Sequence, residues 1–368
     1  MKNFSKIKES KIYRAFFIIL TIYVFLLSIK LLGHSFKLFG KDFAETLIIM
    51  TSNPFAGLLI GIVATSLIQS SSTTTSIVVG LVAGGALTLD NAIPIIMGAN
   101  IGTTITNTLV SMGHVTRRIE FRRAFSASVV HDFFNICAVI VFFPIELNYH
   151  IIAKTALFLE KKFAGAGGMH IFNPLKLIID PVIQIIDRIF AFIPHASFLL
   201  MILSLVLLFL SLTLLIKTIR SLMLNKIETI INRYLFRNDL LGFSLAILLT
   251  FIVQSSSVTT SLIVPLAGAG IISIRQIYPY TLGANIGTTG TAIIAALATQ
   301  NEIAVTVAFA HLCFNIFGIL VFYPLKFIPI KLAEFVGEKA SKSTKNLVLF
   351  IITYILIHFI PISFLLFT

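Results

Sequence analysis

Residues 69–76 read QSSSTTTS, and residues 254–261 read QSSSVTTS. The two stretches agree at seven of eight positions and stand 185 residues apart. The same offset relates GANIGTTITN at 98–107 to GANIGTTGTA at 283–292. Two different motifs repeated at one spacing mark a duplicated unit. Each polar stretch interrupts a run of Leu, Ile, Val, Ala and Gly.

The segment around the first stretch, 54–88, is too long for one membrane span and too short for two with a turn. Split at the polar residues it gives two half-helices of roughly 15 residues, each about 22 Å long at about 1.5 Å per residue. Neither crosses a hydrocarbon core of about 30 Å. A re-entrant hairpin with its tip at Gln69–Thr73 fits that length, and 240–272 forms the second. Irregular backbone at membrane depth is tolerated only where it lines protein or a wet cavity.

Composition supports the membrane setting. Of 368 residues, 57% are hydrophobic and 12% charged, with a mean hydropathy of +0.99. A soluble domain carries about 25% charged residues. The chain is therefore expected to be an all-α polytopic membrane protein. Its net charge of +13 would suit nucleic acid or anionic lipid. Basic residues gathered in loops on one side of a bilayer explain it more simply, and no nucleic-acid partner is expected. The two cysteines, Cys137 and Cys313, lie in apolar runs, so neither a disulfide nor a metal site is expected. No small-residue cleavage site follows the first apolar run, which reads as a span rather than a signal peptide.

Spans are expected at 16–32, 91–110, 124–147, 197–216, 276–298, 303–325 and 347–366, with 34–53 at the interface. The two glycines of GANIGTT permit an unwound section. His131 and Asn135 match His311 and Asn315 at an offset of 180, so the duplication extends through that span. The organisation is then a first repeat at 1–147, a connector at 148–196, a second repeat at 197–328, and a basic loop and final span at 329–368. The connector holds a flexible stretch at 165–168 and an amphipathic run at 175–192, and falls outside. With the N-terminus cytoplasmic and both hairpins non-crossing, the basic loops at 111–123, 217–239 and 326–346 all fall inside. If the first hairpin crossed, Arg117, Arg118, Arg122 and Arg123 would face out. Three spans in the first half start the second half from the opposite side. The repeats are thus inverted, the pattern of an alternating-access transporter with its site at the midplane.

A lone Ser or Thr within a span ordinarily bonds back to its own helix. A Gln with three Ser and three Thr has too many hydroxyls for one helix face, and unpaired burial is costly. The stretches therefore read as binding tips. The half-helix after each tip presents free N–H groups, which suit an anion. Two tips meeting suit a tetrahedral oxyanion, and their hydroxyl, carbonyl and amide oxygens also suit a hard cation such as Na⁺. Asp132 is the clearest ionisable residue at depth, a cation ligand or proton carrier by default. The plainer reading makes it a structural partner of His131 or an arginine. His131 and His311 read equally as helix-packing hydrogen bonders, and Arg122 and Arg123 as interfacial anchors.

The doubled QSSS, the doubled GANIGTT, RRAFSASVVHDFFN at 122–135 and SIRQIYPYTLGANIGTTGTAIIAAL at 273–297 resemble the type II sodium–phosphate cotransporter family. The resemblance covers 50–147 and 240–325. It implies two inverted repeats, each with a re-entrant hairpin, and uptake of inorganic phosphate driven by Na⁺. It places Gln69–Ser72 and Gln254–Ser257 around the substrate and assigns Gln254, Ser255, Thr288 and Thr291 to sodium. Within the VHD motif, Val130–Asp132, the acid is tied to an additional sodium in electrogenic members. The chain departs from the family's animal members in lacking their large, glycosylated, cysteine-bearing outside loop. That suggests a prokaryotic member in the inner membrane. The family's acidic residue after SI is here Arg275, so a role for that position does not transfer. No soluble regulatory domain is expected after the last span.

The expected phosphate set is Gln69, Ser70, Ser71, Ser72, Thr73, Asn100, Gln254, Ser255, Ser256, Ser257 and Asn285. The expected sodium set is Gln254, Ser255, Thr288 and Thr291, their counterparts Thr103 and Thr106, and Asp132. No cofactor is expected beyond co-transported Na⁺, and no enzymatic activity. The partners are phosphate, sodium and the lipid bilayer, with a homodimer as one allowed assembly. Transport of another oxyanion such as sulfate or arsenate, coupling to H⁺ through Asp132, or an anion channel remain open alternatives. A hydrolase using a QSSS serine with His131 is weaker, since no base stands at a matching spacing.

Overall fold

The structure, a computed structural model, describes residues 11–166, 173–190, 192–193, 195–234 and 238–367. Lys2, Lys6, Lys8, part of the 165–168 stretch and Arg237 lie outside the described residues, as do the side chains of Arg220, Lys226 and Arg233. Among the described residues every regular element is helical.

α1 (Lys11–Leu38) is followed by α2 (Lys41–Met50) and α3 (Pro54–Ile68). Helix α3 starts where Asn53 accepts the Phe55 N–H and Pro54 presets the first turn. The axis turns by 97° between α2 and α3. α4 (Ser71–Ala83) follows, then α5 (Leu89–Ile101), a 3₁₀ turn at Gly102–Thr104, and α6 (Ile105–Ser111). α7 (Arg118–Tyr149) ends the first half, and α8 (Ile151–Gly165) and α9 (Asn173–Phe190) occupy the connector. The second half runs through α10 (Ala196–Tyr234), α11 (Asp239–Val253), α12 (Ser256–Ser261), α13 (Val264–Gly268), α14 (Ile274–Thr299) and α15 (Glu302–Phe322). α16 (Phe327–Lys342) and α17 (Thr344–Phe367) complete the chain. Among the described residues six stretches are long and apolar enough to cross a membrane: Ala15–Leu38, Leu89–His114, Arg118–Tyr149, Ala196–Thr218, Ile274–Thr299 and Glu302–Phe322. They coincide with the first six expected spans.

The halves pack through each other. α3 lies along α5 and α11 along α14, while α1 lies along α10. The helix trailing each half crosses to the other: α8 packs on α15, and α16 packs on α7. The glycines of GANIGTT serve these close approaches. A Cβ on Gly98 would stand 2.0 Å from the Leu58 oxygen, and one on Gly283 2.2 Å from the Phe243 oxygen. At Gly102 and Gly287 it would meet the Thr65 and Thr250 Cβ atoms at 2.8 and 2.6 Å. Unwinding occurs only in the first copy, as the 3₁₀ turn; the second copy is continuous α-helix through Thr299. Helix-to-helix contact, common to both copies, is what these positions require.

Three segments expected as loops are helical instead. Residues 217–234 continue α10, 118–123 open α7, and 327–342 form α16. Basic residues decide which side of a bilayer a segment favours, but Lys, Arg, Glu and Ala are good helix formers and do not break a helix. α16 adds a Glu338–Lys342 pair at 2.9 Å and places Lys339 and Lys342 in its last turn. The segment expected at the interface, 34–53, is divided between the end of α1 and α2. Within the connector, α9 is tied to α1 by Lys30–Asp180 and by His34–Asp187 at 2.9 Å.

Candidate functional site

The two polar stretches fold alike. Gln69 ends α3 in the left-handed region (φ 57°, ψ 28°), and Gln254 ends α11 the same way (φ 59°, ψ 26°). That conformation is uncommon for a residue with a Cβ. The next residue is extended in both, Ser70 at φ −150° and Ser255 at φ −156°. Each serine then caps the following helix: Ser70 Oγ accepts the Thr73 N–H at 3.2 Å, and Ser255 Oγ accepts the Val258 N–H at 3.3 Å. Ser71 and Ser72, like Ser256 and Ser257, fall in the first turn, where backbone N–H groups have no partner within the helix.

The tips meet. Ser72 Oγ donates to the Gln254 carbonyl at 3.4 Å. Ser257 Oγ donates to the Thr103 carbonyl at 3.2 Å, which lays the second tip on the first GANIGTT copy. Asn107 Nδ2 donates to Thr260 Oγ1 at 2.8 Å there, and the Thr260 hydroxyl has the Ser256 carbonyl at 2.7 Å as its nearer acceptor and Asn107 Oδ1 at 3.1 Å. Ser71, Ser72, Thr73, Gln254, Ser256 and Ser257 are all buried, whereas Gln69 is exposed. The second tip departs from its expected form in one respect. Its following helix, α12, has six residues and breaks before α13, so it aligns fewer peptide dipoles than the thirteen-residue α4.

Beside the tips runs a buried polar chain that joins the halves. His131 donates Nε2–H to the Asn285 side-chain oxygen. Asn285 Nδ2 donates to Asn135 Oδ1 at 2.8 Å, and Asn135 Nδ2 to the Asn100 carbonyl at 2.7 Å. His311 Nε2 faces Asn100 Oδ1 at 3.4 Å. Each histidine thus reaches the asparagine of the other half's GANIGTT. Asn100 and Asn285, expected at the substrate, are members of this chain. Asn315, the counterpart of Asn135, is buried with both side-chain polar atoms unpaired.

The expected sodium residues divide into two kinds. Thr103 and Thr288 turn their hydroxyls into their own helices, onto Ala99 and Ala284 carbonyls, each at 2.9 Å. Thr291 is fully buried and its hydroxyl has no partner, while Thr106 is half-buried. Gln254 Nε2 bonds the Phe251 carbonyl, leaving its amide oxygen for other use. Asp132 is 3% exposed, and neither carboxylate oxygen has a hydrogen-bond partner. The plainer alternative, a pair with His131, is absent: His131 bonds Asn285 through Nε2, and neither its Nδ1 nor either Asp132 oxygen has a hydrogen-bond partner. Arg275 is exposed in the first turn of α14. Sequence reasoning missed Asn107, Thr260 and Tyr354, whose hydroxyl lies 3.4 Å from Thr104 Oγ1. Asn107 carried one signal, being the position at which the GANIGTT copies differ by Asn against Ala292.

The chain is similar in sequence to known proteins over most of its length. The rat sodium-dependent phosphate transport protein 2A (Rattus norvegicus) is 33% identical over 413 residues, covering 91% of this chain and 65% of the relative. The human protein 2B (Homo sapiens) is 33% identical over 417 residues, covering 87% of this chain and 60% of the relative. The chain thus spans just under two thirds of the length of these relatives. No solved structure matches it. The sequence profile of the Na⁺/Pi-cotransporter family matches residues 24–165 and 207–328, which hold both polar stretches, both GANIGTT copies and both histidines. The chain belongs to the Na⁺/Pi-cotransporter family.

Proposed function

We propose that the chain is a secondary transporter that takes up inorganic phosphate with Na⁺ by alternating access, holding the anion between the two QSSS tips. The observation that carries this reading is the meeting of the tips, alike in sequence and backbone and joined through Ser72 and Gln254. A tetrahedral anion needs several donors at once. The Ser71, Ser72, Ser256 and Ser257 hydroxyls and the free N–H groups of Ser71 and Ser72 at the head of α4 supply them without a fixed positive charge. Ser70, Thr73 and Ser255 shape the tips, Gln69 and Gln254 turn them, and Asn100 and Asn285 each bond the histidine of the other half.

Sodium is assigned to Gln254, Ser255, Thr288 and Thr291, to the counterparts Thr103 and Thr106, and to Asp132. The unpaired Thr291 hydroxyl and Asp132 carboxylate support that assignment, because buried polar groups left unpaired are costly unless a ligand satisfies them. The sodium dependence and phosphate named for the 33%-identical relatives support the choice of ions. The chain is placed in the inner membrane with its N-terminus cytoplasmic and its two helix pairs entering from opposite faces, the basic segments lying inside. One chain supplies both tips, so a homodimer is not required to complete the site.

Uptake of ³²P-phosphate into proteoliposomes tests the reading. Uptake should require inward Na⁺ and persist against excess sulfate. Equal uptake in K⁺ that follows a pH gradient would overturn the sodium assignment. For topology, single cysteines replace the exposed Asp90 and Asn238 in a background lacking Cys137 and Cys313. An impermeant thiol reagent should reach them from opposite sides; labelling of both from one side would refute the inversion.

A further inference from the structure

Helix α17 has no counterpart in the first half and lies outside the segments matched by the family profile. It nevertheless packs on α3 and α16 and reaches the site. Its less exposed residues, Leu347, Phe350, Ile351 and Tyr354, recur at helical spacing, while Val348, Leu349, Ile352 and Ile355 are exposed. Phe350 meets Phe125 of α7 edge-on at 4.8 Å between ring centres, and Tyr354 lies 5.6 Å beyond Phe350. Asp132 is seven residues after Phe125, two turns along the same face of α7.

Four oxygen-bearing side chains converge there. The Tyr354 hydroxyl is 3.4 Å from Thr104 Oγ1, in the 3₁₀ turn that interrupts only the first GANIGTT copy. Thr108 follows Thr104 by four residues, about one turn on, and Asp132 lies two turns beyond the Phe125 that Phe350 meets. Both Asp132 oxygens and the Thr108 hydroxyl are buried without a hydrogen-bond partner of good geometry. The second half lacks this cluster: Ile293 stands for Thr108 and Leu312 for Asp132. The carboxylate, the facing hydroxyl and the helix that brings the tyrosine are thus all found on one side of the molecule only.

We propose that Tyr354, with Thr104 and Thr108, completes a sodium site at Asp132, so that the last helix supplies a ligand to the ion that only the first half binds. The inference rests on the reading of Asp132 as a sodium ligand and adds the residues that surround it. Three neutral hydroxyls and one carboxylate form an all-oxygen set for a hard monovalent cation. Each hydroxyl offers a lone pair and keeps its proton.

The full chain in proteoliposomes tests this through the Na⁺ concentration for half-maximal uptake, and the purified protein through the rise in thermal midpoint when Na⁺ replaces choline. Tyr354→Phe keeps the ring that packs on Phe350. It should raise the half-maximal Na⁺ by roughly tenfold, the share of one polar ligand, and reduce the Na⁺-induced thermal rise. Phosphate half-saturation at saturating Na⁺ should stay at the parental value, which a general structural defect would not allow. Thr108→Val should act in the same direction and decides the matter if Tyr354→Phe does not fold. Asp132→Asn separates the two layers. If it leaves the Na⁺ dependence unchanged, the reading of Asp132 fails and the inference with it. If it shifts the dependence while Tyr354→Phe and Thr108→Val both behave as parent, the surrounding set is wrong and Asp132 stands.

Discussion

The tip at Gln69–Ser70 and the tip at Gln254–Ser255 agree to within a few degrees at the turning residue, yet they are held differently. Behind the second, Thr260 accepts from the Asn107 amide at 2.8 Å and has the Ser256 carbonyl at 2.7 Å as its nearer acceptor. Behind the first, Ala292 stands where a second Asn107 would be, and the counterpart hydroxyl, Thr75, is buried without a partner. Gln254 is buried and Gln69 exposed. α4 runs unbroken for thirteen residues, whereas α12 breaks after six. The copies keep in common what would face a ligand and differ in what fastens it. The first tip has its own fastening, Thr65 to Thr74 at 3.0 Å, whose counterpart Thr250 is unpaired; a shared surface held by different bonds lets the two tips respond differently, as two conformations of one site require.

The largest effects should fall on what both copies share. Gly98→Ala and Gly283→Ala each drive a Cβ onto a backbone oxygen of the neighbouring helix. Each should cost about 3 kcal/mol, the upper end for overpacking, since backbone cannot rotate away. The thermal midpoint in detergent measures this, and a near-parental midpoint for one variant alone would break the equivalence of the copies.

Next come the tips themselves. Ser71→Ala and Ser256→Ala each remove one hydrogen bond to an anion, worth about 1.5–3 kcal/mol, or roughly tenfold to a hundredfold in phosphate affinity. Equilibrium phosphate binding reads the loss. If only one variant weakens binding, the ligand sits on one tip and not between them.

The difference between the copies predicts a smaller, asymmetric effect. Thr260→Val strands the buried Asn107 amide and should cost about 1–3 kcal/mol, with faster amide exchange across 256–261. Thr75→Val removes a hydroxyl that has no partner and should be neutral or stabilising. Equal losses would show that Thr75 fastens the first tip as Thr260 does the second. Smallest is Asp239→Asn. It breaks a half-exposed pair with Lys326 at 2.9 Å, at the position where the first half has Pro54. A screened surface pair should change unfolding free energy by less than about 1 kcal/mol.

How much of this was legible in the sequence depends on what the signal measured. The helical membrane fold, six spans and the breaks at both QSSS stretches followed from hydropathy and duplication, because those reflect the solvent around each residue. The GANIGTT glycines are half legible: the first copy does unwind at Gly102–Thr104 and the second does not, because a glycine signals either a special backbone or a close neighbour, and only the packing of α3 and α11 separates them. The basic helices were read as loops because charge reports the side of the membrane and not the backbone. The His131–Asn285 and Asn107–Thr260 pairs join residues more than 150 positions apart, a distance at which no spacing rule operates. Tyr354 lies in the one span without a copy, so duplication gave no reason to look there.

The central claim is that two tips, encoded 185 residues apart, make one phosphate site. Phosphate binding to the purified chain in Na⁺, titrated to saturation for the parent, Ser71→Ala and Ser256→Ala, tests it directly. The account predicts one phosphate per chain in all three proteins, with both substitutions weakening that single event. Two phosphates per chain, or a substitution that abolishes half of the binding and leaves the remainder at parental affinity, would contradict it.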